Sequence, residues 1–134
     1  MIRTNLKGCF NVISILAPLM ISSGGGHIIN ISSFSGLKGK AGQAAYSASK
    51  AAVLGLTRTT ARELSEYNIR VNAVAPGYMP TEMGKNAGKA AEIAKEESIL
   101  KQLAKTGETA EFILFILKTG NVTGQIFSLD SRVI

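Results

Sequence analysis

The sequence predicts an α/β fold, a parallel sheet with helices packed on its faces, and three observations carry that prediction. Two short β-branched apolar runs, HIINIS at 27–32 and IRVNAVAPG at 69–77, have the composition of strands buried on both faces. Longer segments of helical composition stand before, between and after them. Each run ends in special residues, Ser32–Ser33 and Pro76–Gly77. The carboxyl ends of the strands are where open parallel sheets bind ligands.

Taken in order, residues 5–22 read as a helix that Pro18 bends or ends near its close. Arg3 and Lys7 followed by apolar residues imitate a signal peptide, but Asn11, Ser14 and Pro18 interrupt the apolar part. The stretch falls short of a membrane span of ~20 apolar residues, so a buried helix is expected. SSGGG at 22–26 is a loop, and SFSGLKGKAG at 33–42 is a second, glycine-spaced one. A helix follows from about Gln43 to about Tyr67, its face of Ala48, Ala51, Ala52 and Gly55 small enough for close packing. Residues 86–105 form a Lys- and Glu-rich helix with pairs such as Glu97 and Lys101. A short helix at about 108–118 and a last strand, GQIFSLD, complete the pattern.

The 134 residues suit one domain with a real core. A single cysteine, Cys9, excludes an internal disulfide framework and fits a reducing compartment, the cytoplasm being the simplest. Cys9 lies on an apolar helix stretch and reads as a packing residue. The net charge of +6 raises the question of acidic partners, yet the lysines are scattered and few aromatics interleave with them. A solvated basic surface is expected rather than a nucleic-acid groove. His27 has no cysteine or carboxylate cluster beside it in sequence, so no metal site is expected.

The chemistry concentrates in AAYSASKAA at 44–52, where Tyr46 and Lys50 stand one helical turn apart among small residues. A phenol titrates near ~10 and is a poor acid at neutral pH, and an ammonium one turn away favours the phenolate. A serine hydroxyl beside the phenol could hold a carbonyl oxygen by hydrogen bonding. Together these groups suit reversible carbonyl–alcohol chemistry with protonation at oxygen, and the carbon end then needs a hydride from a nicotinamide cofactor.

With those residues in place, the chain resembles the short-chain dehydrogenase/reductase family over essentially its whole length. NISS ends a strand thirteen residues before Tyr46, and Tyr46 to Lys50 gives Y-x-x-x-K. RVNAVAPGYMPTEM is similar to the family's P-G-x-x-x-T segment, NLKGCF to its N-x-x-G motif through Asn5 and Gly8, and VTGQIFSLD to its closing strand. The resemblance implies that Tyr46 is the general acid in reduction and that Ser33 orients the carbonyl. It implies that Lys50 assists Tyr46 and bonds the nicotinamide ribose, and that Asn5 holds a water linking Lys50 to solvent. Pro76, Gly77 and Thr81 would support the nicotinamide end of the cofactor, and the helix around 86–105 would cover the substrate as a mobile lid. Within the family, GLKGKAGQAAYSASKAAVLGLTR is closest to the 3-oxoacyl-acyl carrier protein reductase group, whereas the ending LDSRVI departs from the usual D-G-G.

The resemblance also implies a partial Rossmann-like, doubly wound parallel sheet, its last three strands and their helices. A glycine-rich pyrophosphate turn is not found: Gly36, Gly39 and Gly42 miss the G-x-G-x-x-G spacing. The chain is therefore expected to be the C-terminal catalytic half of one such domain, its N-terminal βαβ half missing and Met1 an internal methionine. The cofactor would be NADP or NAD, with NADPH favoured, and the substrate a small carbonyl or alcohol compound such as an acyl thioester. A homo-oligomer is implied, dimer or tetramer, through helices 5–22 and 43–67, with neither nucleic acid nor membrane as partner. The alternative from another class is a truncated, non-catalytic chain acting only as an association module.

Overall fold

A computed structural model describes residues 1–81 and 88–133 of the chain. A π-helical turn over Arg3–Lys7 leads into α1, Gly8–Ser22, then β1, Gly26–Ile31, and a short α2, Phe34–Lys38. The long α3, Ala44–Leu64, closes in a 3-10 turn at Ser65–Tyr67 and is followed by β2, Ile69–Pro76. Next come α4, Gly88–Glu97, α5, Thr106–Leu117, and β3, Ile126–Leu129. The three strands form a parallel sheet in the order β1-β2-β3, with Gly26 opposite Ile69 and Ala73 opposite Ile126. Parallel neighbours need a crossover, and α3 supplies the one between β1 and β2.

β2 is the centre of the fold because it is apolar and flanked on both sides. Val71, Ala73, Val74 and Ala75 are fully buried, as is Ile69. The face of α3 that covers it repeats at helical spacing: Ser49, Val53, Leu54, Thr57, Thr60 and Ala61. Ala61 packs on Ile69 and Val71, and Met20, Ile28 and Leu64 close around them. The buried asparagines of this layer are paired, as burial demands. Asn30 donates to the Thr57 hydroxyl at 2.9 Å, and Asn72 donates to the Val122 carbonyl at 2.8 Å while accepting from Gln125 N at 3.0 Å. On α5, Phe112 meets Phe127 of β3 edge-to-face at 5.2 Å.

Several expectations are corrected. The helix over 5–22 is not buried: only Ile13 and Ala17 are, while Phe10, Val12, Ile15 and Leu19 are more than half exposed. Its apolar residues surround the whole helix, and the described part of the domain covers one side. Counted from Arg3 to Ser22, this helix is also long and apolar enough by length and composition to cross a membrane. Pro18 lies inside it and does not end it. β1 is not buried on both faces: among the described residues it is an edge strand, with Asn30 its single buried residue and Ile31 outward. The small residues Ala48, Ala51 and Gly55 face outward, and the tight face of α3 is the opposite one.

The loop over 33–42 contains α2, started by Ser33, whose side chain accepts from Ser35 N. The helix expected over 86–105 ends at Glu97, and residues 86 and 87 lie outside the described residues. Glu97 does not pair with Lys101: it pairs with Arg132, and Lys101 takes a positive φ and donates to the Glu96 carbonyl.

Candidate active site at the carboxyl end of the sheet

β1 and β2 run parallel, so their carboxyl ends lie side by side and deliver Ser32–Ser33 and Pro76–Gly77 to one edge. α3 begins at that edge and carries Tyr46 and Lys50 in its first two turns. A cavity of about 560 Å³ opens there, lined among others by Ser33, Tyr46, Gly77, Tyr78, Thr81 and Arg132. Four of the seven residues expected from the sequence, Ser33, Tyr46, Gly77 and Thr81, therefore share one cavity wall. Asn5, Lys50 and Pro76 do not line it.

Each of the three has a defined attachment. Lys50 directs its Nζ across the Tyr46 ring, 5.9 Å from the centroid, and donates to the Ile31 carbonyl at 2.9 Å. An ammonium has three donors, so two remain for other acceptors. Asn5 sits in the π-turn, a distortion often found at functional positions, and donates its Nδ2 to the Ser49 hydroxyl at 3.0 Å. Ser49 donates in turn to the Tyr46 carbonyl at 2.7 Å. Pro76 ends β2 opposite Leu129.

Ser33 has extended backbone and caps α2, its hydroxyl oxygen accepting from Ser35 N at 3.2 Å. That bond uses a lone pair and leaves the hydroxyl hydrogen to donate elsewhere.

Residues that sequence reasoning missed, together with Gly77, which it named, hold these groups in place. Ser32 is buried and donates to the Lys50 carbonyl at 2.8 Å, locking the strand end to α3 at the lysine. Gly36 lets α2 approach the same point: a Cβ there would lie 2.8 Å from the Lys50 carbonyl carbon and 2.9 Å from its Cβ. Gly77 allows β3 to close on the cavity, since a Cβ on it would run into the Asp130 carboxylate. Its N–H donates to the Leu129 carbonyl at 3.1 Å. The first serine of NISS and the glycine three residues after Ser33 were visible signals for Ser32 and Gly36. Arg132 carried none.

His27 lies at the other end of β1, its Nδ1 donating to the Leu117 carbonyl at 3.2 Å. Among the described residues no three His, Cys, Asp or Glu side chains gather.

The 3-oxoacyl-acyl-carrier-protein reductase FabG of Thermotoga maritima is 45% identical over 136 residues, covering 99% of this chain and 55% of that protein. Carbonyl reductase family member 4 of Danio rerio is 43% identical over 129 residues, covering 96% of this chain and 53% of that protein. The chain spans about half the length of the curated relatives it matches. Among solved structures, 4-hydroxyisoleucine dehydrogenase complexed with NADH superposes with a TM-score of 0.91 at 32% identity, over 98% of this chain and 56% of that one. The sequence model for short chain dehydrogenase matches residues 1–92, and its match includes Asn5, Ser33, Tyr46, Lys50, Pro76, Gly77 and Thr81. By that match and by the fold, the chain belongs to the short chain dehydrogenase family.

Proposed function

We propose that this chain carries the catalytic side chains of an oxidoreductase that interconverts a carbonyl and a secondary alcohol. The observation that carries the reading is the shared cavity of Ser33 and Tyr46, with the Lys50 ammonium over the Tyr46 ring. Ser33 donates its free hydroxyl hydrogen to the substrate oxygen. Tyr46 gives its phenolic proton to that oxygen in reduction. Lys50 stabilises the negative charge that develops on the phenol oxygen as the proton leaves. Asn5 positions this pair through Ser49, which is bonded to the backbone between them.

The donor set fits a nicotinamide nucleotide, NADPH or NADH, because Lys50 keeps two free donors beside Tyr46 and Thr81 adds a hydroxyl to the cavity lining. Tyr46, Lys50, Pro76, Gly77 and Thr81 would hold its nicotinamide end. When bound, that cofactor supplies the hydride the carbon requires. A 3-oxoacyl thioester is the proposed substrate class, supported by the function named for the Thermotoga relative and by room for an acyl chain in about 560 Å³.

The test is NAD(P)H oxidation by the protein expressed from its complete reading frame, with a 3-oxoacyl thioester and an unrelated ketone. Turnover of the thioester supports the reading. No turnover of any carbonyl compound overturns it.

One observation favours an association role as a second reading. The outward face of α1 presents Val12, Ile15, Leu16 and Leu19 together, the kind of surface that binds another protein surface. We propose a second copy of the chain as its partner, and the two readings are compatible in an oligomeric enzyme.

A further inference from the structure

The residues after β3 form a buried ionic knot that no part of the proposed chemistry uses. The Arg132 side chain is 8% exposed and that of Asp130 7%. Arg132 Nε donates to both Asp130 carboxylate oxygens at 3.0 Å, and its Nη2 donates to the same carboxylate. Nη1 reaches Glu97, the last residue of α4, at 3.4 Å. The Arg132 Cζ lies over the Phe34 ring, 4.0 Å from its centroid. Phe34 is the residue after Ser33, is 5% exposed, and opens α2.

Burial opposes the charge on Arg132. Hydrogen bonds and attraction from Asp130, and then from Glu97, outweigh it and hold the guanidinium above its ordinary pKa. It is a permanent cation. Two more bonds tie the same segment to the end of α4: Ser131 pairs with Ser98 through their hydroxyls, and Ile99 N donates to the Ser131 carbonyl at 3.2 Å. Arg132 and Ala90 of α4 both line the cavity that holds Ser33 and Tyr46.

We propose that Arg132 is a positioning residue for the substrate cavity, fixing the Ser33–Phe34 turn and the α4 wall relative to each other. The inference rests on the reductase reading for its kinetic consequence and on geometry alone for its structural one. A lysine cannot replace it, because only the planar guanidinium can lie on Phe34 while forking onto Asp130 and reaching Glu97. Glu97 is the half-exposed arm of the knot and Phe34 its apolar arm, so both can be altered without stranding the buried Asp130 charge.

The experiment compares the wild-type protein, expressed from its complete reading frame, with Glu97→Gln, Phe34→Leu and Arg132→Lys. Hydrogen exchange of the amides in 88–97 and the separate values of kcat and KM for the carbonyl substrate are measured. The proposal expects exchange in α4 to quicken about tenfold in Glu97→Gln. It expects KM to rise about fivefold or more in all three variants, with kcat changed less than about twofold. A residue that merely supports the fold would lower the melting temperature without this split. Unchanged KM and unchanged α4 exchange in Glu97→Gln and Arg132→Lys would overturn the proposal. Should the wild type turn over no carbonyl compound, the reductase reading fails by itself, and α4 exchange alone then decides the role of Arg132.

Discussion

Asn5 donates its side-chain amide to the hydroxyl of Ser49 across 3.0 Å, joining residues forty-four positions apart in the chain. Ser49 is fully buried and lies between Tyr46 and Lys50 on α3. Its hydroxyl accepts from Asn5 and donates to the Tyr46 carbonyl, so it is satisfied on both sides. The π-turn at the start of α1 is thereby pinned against the turn of α3 that carries the proposed acid and its cation.

Ser49→Ala should therefore cost more than a deleted methyl-sized group suggests. It removes the hydroxyl that links the half-buried Asn5 amide to the Tyr46 carbonyl, and the expected loss is about 0.5–1.5 kcal/mol of unfolding free energy. Urea denaturation measures it. Ser49→Thr keeps the hydroxyl and should recover part of the loss. Equal stability of the alanine variant and the wild type would show that the Asn5–Ser49 bond holds nothing in place.

Gly36→Ala tests the approach of α2 to α3. The added Cβ meets the Lys50 carbonyl carbon at 2.8 Å and Ala51 N at 3.0 Å, both backbone atoms in mid-helix that cannot swing aside. Overpacking of this kind costs about 1–3 kcal/mol. The strain falls at Lys50, so turnover should drop further than the lost stability explains. A fully stable, fully active alanine variant would mean that α2 does not sit on α3 as described.

Much of this was legible in the sequence. β2 was readable because eight residues centred on VNAVA are buried almost without a break, which fixes a central parallel strand. The extent of α3 was readable because small and helix-forming residues run unbroken from Ala44 to Leu64. The proposed site was readable because three short motifs fall at strand ends and a helix start. What sequence could not show is which faces find partners. Ala48, Ala51 and Gly55 point outward because Ser49, Val53 and Thr57 match the β2 surface better, a choice decided by tertiary packing. The apolar α1 was read as buried because its composition is apolar all round, and composition does not say how much of the domain is present to cover it. Arg132 stayed hidden because its partners Phe34, Glu97 and Asp130 meet only in three dimensions.

The exposed side of α1 and the free edge of β1 lead to a prediction about the 134-residue chain in isolation. A strand edge unpaired among the described residues and a row of exposed apolar residues both favour self-association. Size-exclusion chromatography with light scattering should find it oligomeric or aggregated at micromolar concentration. The substitutions Ile15→Lys and Leu19→Lys should reduce that association. A stable monomer with the wild-type surface would contradict the account of this face.

The most direct test of the central claim removes one oxygen atom. Tyr46→Phe, made in the protein expressed from its complete reading frame, keeps the ring under the Lys50 ammonium and deletes only the hydroxyl that is proposed to protonate the substrate. Carbonyl-dependent NAD(P)H oxidation should fall by about 10²–10⁴-fold, the usual scale of a lost general acid, with little change in folding or in cofactor affinity. A Tyr46→Phe enzyme that retained most of its turnover would contradict the assignment of Tyr46 as the acid, and with it the chemistry proposed for this cavity.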